Sequence, residues 1–150
     1  MIGKVKVIDA RQTRPRVIAF SMTPEQILAR TKTVTRRASS HWMRLQRGDV
    51  LRAIRKGQGL KRGEKAETLG WIRVVGVSRI RVDDVSTDDV IREGFGAMPI
   101  ADFIAQIKTI ARPKLKSFHQ VTRIEFEYID EWRHFRDPSP LRRRRVFLAR

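Results

Sequence analysis

Residues Gly70 to Val82 and Gln120 to Ile129 alternate apolar and charged side chains with a period of two, which commits the chain to a sheet. In the first stretch Ile72, Val74, Ile80 and Val82 fall on one face, and Arg73, Arg79 and Arg81 on the other. Gly76 stands where a bulge or a sharp barrel bend belongs. In the second, Ile124, Phe126 and Tyr128 point one way while Arg123, Glu125 and Glu127 point the other. Shorter strands are expected at Lys4 to Ile8, Arg16 to Ser21 and Thr31 to Arg37. Another, Val50 to Arg55, follows the turn Arg47-Gly48-Asp49.

Three short helices interrupt this pattern. Thr23-Pro24-Glu25-Gln26 has the spacing of a capping box with proline in the first turn, and Ile27 and Leu28 supply the apolar side. That helix is expected to end near Arg30. Ser86 or Thr87 caps a second helix, with Asp88 and Asp89 in its first turn and Gly94 at its C-terminal end. Ile100, Phe103, Ile104, Ile107 and Ala111 recur at helical spacing before Pro113. About six strands and three short helices predict an α+β fold, a small mixed β-barrel rather than a doubly wound sheet. Residues 1–130 read as the folded domain. Residues 131–150 read as a basic C-terminal extension that docks by Trp132 and Phe135 and ends in the run Arg142 to Arg145.

Composition narrows the chemistry. A chain of 150 residues with 41% apolar content can bury a core as one domain. It has no cysteine, and His41, His119 and His134 are widely spaced, so neither a disulfide framework nor a metal site is expected. No cofactor is implied either. No apolar run is long enough to span a bilayer, and no signal-peptide core is present, so a cytoplasmic protein without a membrane partner is the expectation. The formal charge of +17 creates a field that attracts polyanions. Nucleic acid is the commonest such partner; an anionic membrane and an acidic protein are its rivals.

The segment Ile27-Leu28-Ala29-Arg30-Thr31-Lys32-Thr33-Val34-Thr35-Arg36-Arg37 resembles the signature of the ASCH domain family, a branch of the PUA-like proteins. The order of features after it is also similar: Leu45-Gln46-Arg47-Gly48-Asp49, the strand from Ile72, Arg92-Glu93-Gly94-Phe95, and the closing strand Val121 to Ile129. The resemblance covers about Val17 to Ile129. It departs at Arg30, where the family commonly has glycine, which puts the tight helix-to-strand turn in question. It implies a PUA-like barrel that binds RNA or single-stranded nucleic acid through a basic cleft. It also implies two enzymatic alternatives, a hydrolase acting on N4-acylated cytidine (an amidohydrolase) and a ribonuclease. The catalytic residues carried over by motif are Lys32, Thr35 and Glu93, with Arg37 as a supporting cation.

That trio is chemically coherent. A threonine hydroxyl is a weak nucleophile unless a base takes its proton. Lys32 serves as that base if its pKa falls, and repulsion from Arg30, Arg36 and Arg37 is expected to lower it. Residues three apart do not face alike on a flat strand, so Lys32 and Thr35 meet only through a turn or bulge. Glu93 suits a general acid or proton shuttle. The rival reading is purely structural: Lys32 and Glu93 form an ion pair tying helix to barrel, and Thr35 is an ordinary strand residue.

The remaining nucleic-acid contacts are expected from Arg30, Arg36, Arg37 and Trp42, from Lys56, Lys61 and Arg62, and from Arg142, Arg143, Arg144 and Arg145. The glycine-rich basic loop from Lys56 to Lys65 lacks phosphate-loop spacing, and reads equally as a phosphate-contacting flap or a hairpin loop. Trp42 is the expected stacking residue, whereas Trp71 at the start of a strand reads as core. The terminal arginines add affinity without reading sequence, or form a solvated tail. An interaction module for an acidic protein is the third reading of the charge.

Overall fold

The computed structural model describes residues 15–111 and 119–130. The expected strand at Lys4 to Ile8 and the whole extension 131–150 lie outside the described residues. Five strands form one curled sheet in the order β1-β3-β4-β5-β2, with β1 Arg16–Ala19, β2 Val34–Arg37, β3 Val50–Ile54, β4 Thr68–Arg81 and β5 Gln120–Ile129. β1 runs parallel to β3, and every other pairing is antiparallel. Among the described residues the helices are α1 Pro24–Leu28, α2 Thr87–Arg92 and α3 Ile100–Ala111, with a 3-10 helix at Ser40–Arg44. The architecture is thus a small α+β half-barrel, as the alternation predicts.

The long strands β4 and β5 form the spine. Ile72, Val74, Ile124 and Phe126 interleave on the concave face with Ile18, Phe20, Ile27, Leu45 and Leu51, all buried. Trp71 lies outside that core, half-buried against Val50 and Ile129. It pairs with Ile129 in register, so it faces the same way as Glu127 and away from Tyr128.

The bulge is where expected, but its consequence for the faces is not. Val74 pairs with Phe126 and Gly76 with Glu125, so Val75 is the inserted residue. One extra residue inverts the alternation beyond it. Val77 then opposes Ile124 and Arg79 opposes Thr122, which carries Arg79 onto the face of Ile72 and Val74 and moves Ile80 to the other. Arg79 satisfies itself there by donating to the Ala38 carbonyl (2.9 Å) and the Thr122 hydroxyl (2.8 Å).

The helix ends depart from the expected chemistry in one case and follow it in the other. Ser86 caps α2, its Oγ accepting from the Asp89 amide at 3.0 Å. Thr23 makes no side-chain cap, and Gln26, its capping-box partner, donates instead to the Gly94 carbonyl at 3.0 Å. α1 closes with Thr31 N donating to Gln26 O and Arg30 N to Ile27 O, the paired bonds of a Schellman end. Arg30 occupies the left-handed position at φ 61°, so the tight turn persists without glycine.

Candidate functional site

Two chain reversals build the site. α2 also ends in a Schellman pair, Phe95 N to Val90 O and Gly94 N to Ile91 O, with Gly94 at φ 97°. A Cβ on Gly94 would stand 3.0 Å from Gln26 Cγ and 3.6 Å from Lys32 Cβ, so only glycine lets the α2 end press against α1 and Lys32. Thr33 then joins the two sides. Its amide donates to the Arg92 carbonyl (2.8 Å), and its carbonyl accepts from the Phe126 amide (3.0 Å). Strand pairing therefore begins at Val34, three residues later than the threonine-rich run suggests.

The irregular segment 31–33 turns Lys32 inward. Its Nζ donates to the Glu93 carbonyl at 2.5 Å and to Glu93 Oε1 at 3.2 Å, and both residues are 2% exposed. Arg36 holds the other carboxylate oxygen, Nη1 to Oε2 at 2.9 Å. Its Nη2 reaches Asp89 (2.7 Å) and the Asp84 carbonyl (3.2 Å). Asp89 in turn accepts two bonds from Arg123, each 2.8 Å. A continuous ionic chain thus runs Arg123–Asp89–Arg36–Glu93–Lys32 from the flank of β5 into the interior. Arg36 Nε is buried with no partner among the described residues.

This network sets the charges. Burial pushes the Lys32 ammonium below the ordinary lysine value; Glu93 opposes the shift, and Arg37 and Arg36 add to it. The direction matches the sequence expectation but the main cause does not, because desolvation outweighs repulsion. Arg30 takes no part. It is exposed, pairs with Asp130 at 3.4 Å and lies over the Tyr128 ring at 5.6 Å. Hydrogen bonds from Arg123 and then Arg36 hold the Asp89 carboxyl well below its usual range. Burial pushes the Tyr128 phenol up, and that hydroxyl donates to the Lys32 carbonyl at 2.6 Å.

A pocket of about 380 Å³ opens beside the ion pair, between the two edge strands. Lys32, Thr35, Arg36, Arg37 and Glu93 all line it, as do Phe20, Trp42 and Phe95. The structural pairing of Lys32 with Glu93 and the shared pocket therefore coexist. Arg37 spans the opening: Nη2 donates to the Ala19 carbonyl on β1 (2.7 Å) and Nε to the Thr35 hydroxyl (3.3 Å). Its guanidinium lies 5.0 Å from the Phe20 ring centre and 5.9 Å from that of Trp42. Burial lowers it to about 10, still cationic at neutral pH. Among the described residues it makes no ion pair.

Trp42 reaches the pocket from the 3-10 turn that sequence periodicity did not reveal. Arg16 also lies over it at 5.2 Å and donates to His41 Nε2 at 2.9 Å. Sequence reading missed Arg16, whose only signal was its place at a strand start. Lys56, Lys61 and Arg62 are exposed on the β3–β4 loop and do not line the pocket. The loop nevertheless begins beside it, since a Cβ on Gly57 would touch Ala19 Cβ at 3.9 Å and Ala19 is a lining residue. Arg142 to Arg145 lie outside the described residues. Among the described residues no cluster of acids and histidines fits a metal ion, and no helix is long and apolar enough to cross a membrane.

A curled five-stranded sheet with short helices closing a pocket between its edges defines a small α+β half-barrel, the fold also seen in a solved ASCH domain. Solved structures share it. The hypothetical protein PH0355 is 15% identical over 77% of this chain and 100% of its own, with a TM-score of 0.58. Protein EF3133 of Enterococcus faecalis V583, described as DUF984, is 14% identical over 77% of each chain, with a TM-score of 0.55. An ASCH domain from Lactobacillus crispatus JV V101 is 14% identical over 75% of this chain and 79% of its own, with a TM-score of 0.54. Identities of this size establish the fold alone. No family model matches the chain, and no curated protein does.

Proposed function

We propose that the pocket takes up a base or nucleoside of RNA or single-stranded nucleic acid, while cations around it hold the phosphate backbone. The observation that carries this reading is the pairing, in one pocket of about 380 Å³, of the rings of Phe20, Trp42 and Phe95 with the polar groups of Lys32, Thr35, Arg37 and Glu93. That size suits a small organic group, and aromatic walls with a few fixed polar atoms are how unstacked bases are held. A base at the mouth stacks on Trp42 and its flanking guanidiniums. Lys56, Lys61, Arg62, Arg30 and the run Arg142 to Arg145 then contact phosphates without reading sequence. Arg36, with its charge shared between Glu93 and Asp89, positions the acid rather than touching phosphate. A cytoplasmic setting belongs to the same reading.

The test is a titration of labelled oligonucleotides over a range of salt, comparing a base-containing strand with an abasic one. Affinity is expected to fall as salt rises and to be higher for the strand with bases. Salt-independent binding, or equal affinity for both strands, would sink the proposal.

One observation favours a second, enzymatic reading. Lys32 is held below its ordinary pKa at the edge of a pocket that also contains Thr35. The Thr35 oxygen accepts from Arg37, which leaves its own proton free to depart. In this reading Lys32, once it has given up its own proton, takes that of Thr35 as Oγ attacks the acyl carbonyl of an N4-acylated cytidine. The C–N bond breaks, the proton passes to the leaving amine, and water releases the acyl group from Thr35. Glu93 orients Lys32 throughout. Equal turnover of N4-acetylcytidine by the wild type and Lys32→Ala would remove this role; equal cleavage of RNA by both would do the same for a ribonuclease.

A further inference from the structure

Thr23 stands at the N-cap position of α1 and does not cap it. Its backbone sits at φ −132°, ψ 43°, and its side chain accepts no bond from the first turn of the helix. Gln26 is committed to the Gly94 carbonyl at 3.0 Å. Thr23 is nevertheless only 4% exposed, and it lines the pocket with Lys32, Thr35 and Glu93.

The other hydroxyls on the wall are differently placed. Thr35 Oγ1 accepts from Arg37, Ser39 Oγ accepts from the His41 amide, and Ser21 is exposed. Thr23 Oγ1 has no hydrogen-bond partner among the described residues. It lies on the pocket wall, whereas Arg36 Nε is the one fully enclosed side-chain polar atom left unpaired among them. A buried hydroxyl with no partner among the described residues is open to a bond from the space it faces, and Thr23 faces the pocket.

We infer that Thr23 is a specificity-determining residue whose hydroxyl hydrogen-bonds the polar edge of the bound base. A hydroxyl is donor and acceptor at once, so it matches an edge carrying N–H and C=O or ring nitrogen. It is neutral, so it sorts ligands by hydrogen-bonding pattern, whereas the cations respond to charge. This inference rests on the nucleobase reading of the pocket.

The experiment compares wild type, Thr23→Val and Thr23→Ser in the full chain. Affinities for a base-containing and an abasic oligonucleotide are measured, together with thermal unfolding. Valine keeps the shape and removes the hydroxyl. It is expected to weaken binding of the base-containing strand by about tenfold, to leave the abasic strand and the melting temperature unchanged, and to be rescued by serine. If the wild type prefers the strand with bases and Thr23→Val keeps the full preference, Thr23 is not a reading residue although the pocket reading stands. Failure of serine to rescue overturns the inference too. So does a lower melting temperature with equal weakening of both strands, which would return Thr23 to a structural role. A wild type with no preference between strands overturns the pocket reading and the inference together.

Discussion

Lys32 and Glu93 are joined twice, once through the Glu93 carboxylate and once through its backbone carbonyl, although 61 positions separate them in sequence. The double contact means that the lysine reads both the charge of Glu93 and the end of the helix carrying it. It also leaves the carboxylate shared with Arg36, which has Asp89 as a second partner, so that Lys32 alone depends wholly on this buried anion.

Glu93→Gln is accordingly expected to destabilise the fold by about 3–5 kcal/mol, because it leaves Lys32 buried without its counter-charge, while Arg36 keeps only Asp89. Adding Lys32→Met to the same chain should recover part of the loss, since the stranded charge is removed. Urea unfolding of the two single variants and the double variant measures this. Strictly additive effects would show that the pair is not coupled.

The pH dependence has two limbs of known sign. Lys32 is held by burial below the ordinary value of 10.5, so over the alkaline interval beneath 10.5 the unfolded chain binds more protons than the folded one. Its contribution to stability rises with pH across that interval. Asp89 behaves as a depressed carboxyl: hydrogen bonds from Arg123 and Arg36 stabilise its anion, and the stability they add is present above 3.8 and lost as pH falls through the lower folded value. Stability measured against pH should therefore lose its alkaline slope in Lys32→Met and part of its acid slope in Asp89→Asn. An acid limb in Asp89→Asn identical to the wild type would contradict the assignment.

Arg30→Gly tests the turn between α1 and β2. A non-glycine residue at φ 61° carries a steric penalty that glycine lacks, offset in part by the greater freedom of glycine in the unfolded chain. The Arg30 side chain itself is exposed and reaches exposed Asp130 and the half-buried Tyr128 ring. A net gain of about 0.5–1 kcal/mol is expected in thermal or urea unfolding, and a decrease would mean that those two interactions outweigh the strain.

Replacing Arg142, Arg143, Arg144 and Arg145 together by glutamine tests the terminal run in the full chain. If all four neutralise phosphates of a single strand, the slope of log affinity against log salt becomes shallower by up to about 3. The preference for a base-containing over an abasic strand should be unchanged, because these residues carry no base readout. An unaltered slope would assign the run to a solvated tail.

Much of the framework was legible because it is local. Alternation along 120–129 predicts the strand and its faces, and Ser86 and Gly94 mark both ends of α2. Alternation failed at Arg79, because the bulge at Val75 adds a residue to one strand only and its effect is visible only against the partner strand. The capping-box spacing at Thr23 failed for a related reason. Gln26 donates instead to the Gly94 carbonyl, brought to it by packing of the α2 end.

By itself, then, the sequence determined the two long strands, both ends of α2, the excess of positive charge and the residue types that line the pocket. Periodicity and capping act over a few residues, so they are written where they operate. Only the tertiary structure decided that Lys32, Thr35, Arg37 and Glu93 share one cavity, and that burial rather than like charge governs Lys32. Desolvation and cross-sheet contacts depend on which surfaces the curled sheet brings together, and that distance is not encoded in the spacing of any one segment.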